Sequence, residues 1–321
     1  MRRIIAAAGA LSLTVVALTA CATPSSSASA SCARDVSASS ALDLVDISDT
    51  PVGTKPTVAL SAPVHVDGLS ARDTVAGDGR AITSDAQDVV FDLTVIDGSS
   101  GAPIAASGYT GQLSEVYPLD SWEATFPGLV DALHCATEGS RVVMALGPDE
   151  VTADTRARFG MAEDATTVVV LDLQKVYLAA ADGAQQFNDR AGMPSVVVAP
   201  DGRPGILIPD NDPPSDLAVE VLKKGDGEEV TGDVPVRVHY TGVTWADEKV
   251  FDSTWGRGAQ PMTLDETIPG FAEALRGQTV GSQILVVIPP DQGYGDTAQG
   301  SIPADSTLVF VVDILGLDAA S

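Results

Sequence analysis

The chain is short of positive charge. It carries 18 Lys and Arg against 44 Asp and Glu, with 3 His, for a formal net charge of −26 over 321 residues. Such a surface repels phosphate backbones and anionic headgroups, which argues against nucleic acid and acidic lipid surfaces as partners. Long hydrophobic runs are scarce as well. After the first twenty residues nothing approaches the roughly 18 to 20 apolar residues of a membrane span. Gly293 and Gly295 are too sparse for a phosphate loop and no Lys-Ser/Thr follows them. His239 has no sequence neighbour that would make it a metal ligand or a base, so it reads as a strand residue, and neither a metal nor a cofactor is expected.

What is present begins with a leader. MRRIIAAAGALSLTVVALTAC has two arginines, an apolar run too short to span a bilayer comfortably, and then small residues, the layout of an export signal. Its end, Leu18-Thr19-Ala20-Cys21, resembles a bacterial lipobox. That resemblance implies removal of residues 1–20 and lipidation of Cys21, with the protein anchored to the cell membrane at its extracytoplasmic face. An ordinary secretory signal cleaved near Ala20, or a short membrane anchor, are the alternatives. Residues 21–34 are rich in Ser and Ala and read as a flexible tether. With Cys21 assigned to lipid, Cys32 and Cys135 are left to pair in a compartment where disulfides persist, the alternative being two free thiols. A bridge closing so long a loop could add up to about 4 to 5 kcal/mol in the chain-entropy model.

The chain also repeats itself. Pro127-Gly128-Leu129, Gly139-Ser140-Arg141-Val142-Val143 and Pro148-Asp149 recur, at one constant offset, as Pro269-Gly270-Phe271, Gly281-Ser282-Gln283-Ile284-Leu285 and Pro290-Asp291. Gly77-Asp78-Gly79 and Thr166 to Val170 find partners in Gly225-Asp226-Gly227 and Thr307 to Val311 at nearly the same offset. Two copies of one fold are expected, over residues 35–180 and 217–318, with the Pro-, Gly- and Asp-rich stretch 181–216 as a linker. In the second copy Leu217 to Leu222 and Val234 to Val243 alternate like half-buried strands, as do the β-branched runs Ile284 to Ile288 and Leu308 to Ile314. Pro269 to Arg276 reads as a short helix with Pro at its start.

The second copy carries five motifs in order: His239-Tyr240-Thr241-Gly242, Phe251-Asp252, Ile268-Pro269-Gly270-Phe271, PPDQGYG ending at Gly295, and STLVFVVDIL from Ser306 to Leu315. Together they resemble the FKBP-type peptidyl-prolyl cis/trans isomerases, which implies an α+β fold: two tandem FKBP-like domains, each a curled antiparallel β-sheet packed on one short helix. By that resemblance Tyr240, Phe251 and Asp252 form one pocket cluster, with the carboxylate near the reacting amide. Ile268 offers its backbone N–H to a substrate carbonyl and Phe271 is the floor. Tyr294 donates its hydroxyl, Ile302 and Phe310 close the far wall, and Met262 and Thr267 occupy two further positions. Tyr240, Asp252, Tyr294 and Phe310 are the implied catalytic residues and the others bind substrate. Phe271 stands where tryptophan is usual, Met262 replaces an aromatic and Thr267 an aliphatic residue, which bears on side-chain preference and on macrolide inhibitors as ligands.

The implied chemistry suits such a pocket. An X–Pro bond crosses a barrier of roughly 18 to 20 kcal/mol between isomers about 0.5 to 1 kcal/mol apart. An apolar cleft with a few fixed donors favours the twisted amide, which has lost its resonance, over the planar forms. Proline-containing exported polypeptides are the implied substrates. A non-catalytic protein holding a proline loop, or a chaperone-like adaptor, is the alternative. Counted by the repeat offsets, the first copy has Asp92, Leu129, Thr152 and Val169 opposite Tyr240, Phe271, Tyr294 and Phe310. It is therefore expected to be a degenerate module without aromatic walls.

Overall fold

The computed structural model describes residues 32–188 and 190–319. The leader, Cys21 and most of the Ser/Ala stretch lie outside the described residues. Among those described, no helix is long and apolar enough to cross a membrane.

Five strands rich in Val, Leu and Ile form the first sheet: β1 (Leu69–Val75), β2 (Asp88–Asp97), β3 (Pro103–Ala106), β4 (Arg141–Leu146) and β5 (Thr167–Val176). They run antiparallel in the order β1-β4-β5-β2-β3, with the short strand Tyr117–Pro118 added to β2. The second sheet holds β6 (Ala218–Lys224), β7 (Val236–Thr244), β8 (Val250–Ser253), β9 (Gln283–Ile288) and β10 (Leu308–Leu317), in the order β6-β9-β10-β7-β8. There Gln260–Met262 is added to β7 and Ala184–Gln185 extends the edge beyond β6. The two orders are the same, so the repeat seen in the sequence is a repeat of topology. In each copy a short helix precedes the fourth strand. It is α1 (Pro127–Leu133) in the first; α2 (Ala153–Phe159) follows, with no helix at the corresponding place in the second copy, whose own packed helix is α3 (Pro269–Leu275).

These helices are held by burial. Seven residues are too few for a helix to persist alone in water, and α3 buries Phe271, Ala272, Ala274 and Leu275. Pro269 opens it, with Ile268 extended at the N-cap (φ −63°, ψ 144°). Successive strand residues face opposite sides of a sheet. On β9, Ile284, Val286 and Ile288 pack in the helix-side core, whereas Leu285 and Val287 meet Met193, Trp245, Val196, Ile206 and Ile208 behind the sheet.

That second layer corrects the expected linker. Within residues 181–216, Ser195–Val198 and Pro204–Leu207 form a hairpin whose apolar side covers the back of the second sheet. The first sheet has the same cover: Val143, Ala145, Val168 and Val170 pack on Leu42, Val45 and Val64, and the strands Val45–Ile47 and Val58–Leu60 pair beside them. The stretch rich in Pro, Gly and Asp is thus the turn chemistry of a packed hairpin. It also explains why the central strands, read as half-buried, are buried on both faces.

Register also corrects one counterpart. Asp92 lies opposite Asp172 and Leu93 opposite Leu171, while His239 lies opposite Asp313 and Tyr240 opposite Val312. Each ladder has a bulge at the same place, between Val90 and Phe91 and between Arg237 and Val238. Leu93, not Asp92, is therefore the counterpart of Tyr240, because the first copy takes one residue more between its Gly-Asp-Gly turn and this strand. Leu129 and Val169 keep their assigned places.

The copies are joined by buried polar contacts. The Arg237 guanidinium, 7% exposed, donates to Asp88 Oδ2 at 2.7 Å in the first copy and to both oxygens of Asp318 at 3.0 and 2.8 Å in the second. It lies over the buried Tyr177 ring at 5.0 Å. Leu178 N–H donates to the Leu315 carbonyl at 3.1 Å, continuing the join along the chain.

Candidate active site

Four strands, one helix and the turns around them converge on a cleft of about 680 Å³ in the second copy. Phe310, on β10, is its centre. Its ring meets Phe251 at 5.4 Å, Phe271 at 5.2 Å and Tyr240 at 6.1 Å between centroids, each close to edge-on, the favoured arrangement for aromatic quadrupoles. Tyr240 and Phe271 also meet at 6.2 Å. Gly242 makes this box possible: it pairs with Phe310 across the ladder, and a Cβ there would lie 2.6 Å from the Phe251 ring and 2.7 Å from that of Phe310. Only glycine lets the two rings close over the strand.

The polar side of the cleft is one linked group. The Tyr240 hydroxyl donates to Asp252 Oδ2 and Arg257 Nη2 to Asp252 Oδ1, while Ser253 N–H donates to Oδ1 at 2.9 Å. Burial alone would push the Asp252 carboxyl up, but the hydrogen bonds from Tyr240 and Arg257 outweigh it and hold the group below the usual aspartate range. Tyr240 moves the other way, raised first by burial and then by its bond to the carboxylate. The site thus keeps a charged carboxylate beside neutral aromatic walls.

The other expected residues also lie on this cleft. Met262 comes from the strand pairing with Val236 on β7. Thr267 spends its hydroxyl on the Leu264 carbonyl at 2.9 Å, which leaves its methyl group for apolar contact. Ile268, at the N-cap of α3, accepts from Phe271 and Ala272 N–H through its carbonyl, and its own N–H stands outside the helix ladder. Tyr294, 39% exposed, stands at the mouth, after the turn Pro290–Gln292. Ile302 is buried and bridges back to Gln299 through two backbone hydrogen bonds of 2.9 Å.

Two charged side chains at the site were not anticipated. Glu266 adds a carboxylate beside Thr267. Arg257 reaches Asp252 because the turn through Thr254, Trp255 and Gly256 folds its side chain back, with Nε donating to the Ser253 carbonyl at 2.8 Å. A cation five residues past Asp252, between two glycines, was the available signal. His239 lies off the cleft, stacked on Trp255 at 4.5 Å with Nδ1 3.0 Å from Thr254 Oγ1. Burial pushes it down to about 4, so the ring is neutral near pH 7.

The first copy has a smaller cleft at the corresponding place, about 280 Å³, lined by Phe91, Tyr117, Trp122, Phe126 and Phe159 among others. It has aromatic walls after all, built from other positions. Tyr117 pairs with Val89 as Met262 does with Val236, and Phe126 caps α1 as Ile268 caps α3. Position-by-position counting against the second copy's aromatics could not find walls that had moved. Cys32 and Cys135 are each disulfide-bonded, whereas Cys21 lies outside the described residues.

The match to a known family falls on the second copy. The family model described as FKBP-type peptidyl-prolyl cis-trans isomerase matches residues 226–315. The chain is 32% identical over 120 residues to an FK506-binding protein of Streptomyces anulatus, covering 36% of this chain and 97% of that protein. It is 41% identical over 105 residues to the peptidyl-prolyl cis-trans isomerase FKBP15-3 of Arabidopsis thaliana, covering 32% of this chain and 73% of that protein. With the FKBP-type isomerase FkpA of Escherichia coli it shares 40% identity over 106 residues, which is 32% of this chain and 38% of FkpA. Matched across nearly the whole of a relative, with the box of Tyr240, Phe251, Phe271 and Phe310 assembled around one cleft, this chain belongs to the FKBP-type peptidyl-prolyl cis-trans isomerases.

Proposed function

We propose that this isomerase acts on X–Pro bonds of exported polypeptides from the outer face of the cell membrane, held there by lipid on Cys21. The observation that carries this placement is the disulfide-bonded state of Cys32 and Cys135, since such bonds persist in oxidising, extracytoplasmic compartments. We take the two cysteines to be each other's partners. The leader and its lipobox-like end agree with export.

In the cleft, the prolyl ring sits among Tyr240, Phe271 and Phe310, where little water reaches the amide. The Ile268 N–H and the Tyr294 hydroxyl donate to carbonyls on either side and fix the chain ends, so that rotation is confined to the C–N bond. Twisting removes the resonance that keeps the amide planar, and the apolar walls favour that less polar state over the hydrated planar forms. The Asp252 carboxylate, held by Tyr240 and Arg257, acts as a fixed charge beside the rotating group and takes no proton. Met262, Thr267 and Ile302 shape the space for the neighbouring side chains, and macrolide inhibitors would compete for the same walls.

The test has two arms. Mass spectrometry of the mature N-terminus should find a lipidated Cys21, and Cys21→Ser should release the protein from membranes; an unlipidated wild type sinks the anchoring. A proline-limited refolding assay with an exported client should be accelerated by the wild type, and no acceleration would remove exported polypeptides as the substrate class.

A further inference from the structure

The first copy's cleft has walls but no chemistry. We propose that it is a second, non-catalytic binding site, which takes one apolar side chain of an extended polypeptide whose neighbouring residues are basic. This rests on the proposed function only in taking polypeptides as clients.

The argument begins with position. The cleft lies where the duplicated topology places the second copy's substrate cleft, bounded by β2, β3, the Tyr117–Pro118 strand and the N-cap of α1. Its rings form a continuous surface: Phe91 meets Trp122 at 5.1 Å and Trp122 stacks on Phe126 at 6.4 Å. Trp122 and Phe159 stay partly exposed and Tyr117 is 46% exposed, although partly wetted rings of this size are costly to leave uncovered.

Chemistry then separates binding from catalysis. Register places Leu93 at the Tyr240 position and Ala105 at the Asp252 position, since Val95 pairs with Ala105 as Gly242 pairs with Asp252. Thr152, in the place of Tyr294, has its hydroxyl 2.8 Å from that of Thr155. At these positions the first cleft has neither the carboxylate nor the aromatic hydroxyl of the second. About 280 Å³ against about 680 Å³ also suits a single side chain rather than a dipeptide with its carbonyls.

Charge chooses the flanks. Glu115 stands exposed at the rim, on a chain with a formal net charge of −26, so a segment with lysines beside its apolar residue is attracted and an acidic one is not. Arg237, held between Asp88 and Asp318, fixes the two clefts in one body.

Calorimetric titration of the full mature protein with a short lysine-flanked leucyl-prolyl peptide tests this. Two peptides per chain are expected. Trp122→Ala should weaken one of the two sites by at least about tenfold, as loss of a central aromatic anchor does. Because that variant could also disturb folding, Tyr117→Ala, at an exposed position, should weaken the same site by about threefold or more with the circular dichroism unchanged. Replacing the flanking lysines by glutamates should cost that site about tenfold at low salt. One peptide per chain with turnover intact, or two sites that ignore both substitutions, overturns this proposal alone. No binding at either cleft overturns it together with the client class it rests on.

Discussion

The two copies fold alike and differ where they meet a ligand. Strand order, the helix before the fourth strand, the bulge in the central ladder and the hairpin behind the sheet all occur twice. Even the tie to the preceding chain recurs: Asp172 accepts from Gly53 N–H at 2.7 Å, and Asp313 at the matching ladder position accepts from Ala181 N–H at 2.8 Å. The clefts share none of this constancy. One carries the Tyr240–Asp252–Arg257 group inside an aromatic box, and the other carries displaced rings with Ala105 at the Asp252 position. The lesson is that packing and backbone hydrogen bonding specify the fold, while the chemistry rests on a few side chains that can be exchanged without disturbing it.

The largest test of that difference disables the second cleft in the intact chain. Phe310→Ala removes the ring that three others pack against, and Asp252→Ala removes the fixed charge; together they should lower kcat/KM on a prolyl peptide by at least about a hundredfold, equivalent to about 2.7 kcal/mol or more. Phe310→Ala alone also opens a cavity in the core, at about 3 to 5 kcal/mol of stability, so circular dichroism must confirm folding. Residual activity within a few fold of wild type would mean that the first copy catalyses too, and that the comparison of the clefts is wrong.

A second contrast lies beneath the sheets. Arg141 makes a two-point ion pair with Asp172, at 2.6 and 2.7 Å, and donates to the carbonyls of Thr50, Pro51 and Thr54. At the same ladder position the second copy has Gln283, donating to Asp313 at 2.7 Å. Breaking a buried ion pair strands a charge. Arg141→Met should therefore cost about 3 to 5 kcal/mol in chemical denaturation, against about 1 to 3 kcal/mol for Gln283→Met, with kcat/KM of the folded Arg141→Met protein unchanged. Equal losses would remove the distinction.

Acid should separate the copies as well. His239 lies at 8% exposure in the second copy, and the first copy has Asp92 at that ladder position. Burial lowers the folded pKa of His239 to about 4 from 6.5, so the unfolded chain binds the extra proton between those values. Stability then rises with pH from about 4 to 6.5 and is lost on acidification through that window, by on the order of 3 kcal/mol for this group. His239→Gln should flatten the pH dependence of Tm across it. An unchanged slope would assign the acid sensitivity elsewhere.

Much of this was legible in the chain itself, and the exceptions have physical reasons. Strands β7, β9 and β10 and helix α3 follow from β-branched runs and from Pro269 opening an Ala-Glu-Ala-Leu stretch. All ten residues named for the second cleft lie on its lining, because contiguous motifs placed each on its own strand, turn or helix end. The hairpin in residues 181–216 was missed, since its turn residues have linker composition and its inward Val196, Ile206 and Ile208 are few. The first cleft was missed because Tyr117, Trp122 and Phe126 occupy positions where the second copy has no rings. Leu93 was mistaken for its neighbour because a single extra residue in a connection shifts a strand by one, which turns every side chain to the other face.

The smallest expected effect concerns Arg257, which no motif indicated. Its guanidinium and the Tyr240 hydroxyl together keep the Asp252 carboxyl below 3.8, the ordinary aspartate value, against the upward push of burial. With the folded pKa depressed, the charged form persists through neutral and mildly acidic pH, and kcat/KM should stay flat there until the pH falls below the ordinary range. Arg257→Met removes one of the opposing interactions and leaves burial, so the acid limb of kcat/KM should move up in pH while the plateau drops only about two- to fivefold. The side chains of this pair are 63% and 40% exposed, so solvent screens them and the plateau loss stays within about 1 kcal/mol. Tyr240→Phe should move the limb in the same direction. The first copy, with Ala105 at this position, supplies the limiting case in which no carboxylate remains to be held. An acid limb that does not move in either variant would mean that Asp252 is ionised without their help, and that the hydrogen-bonded group is not what distinguishes the second cleft from the first.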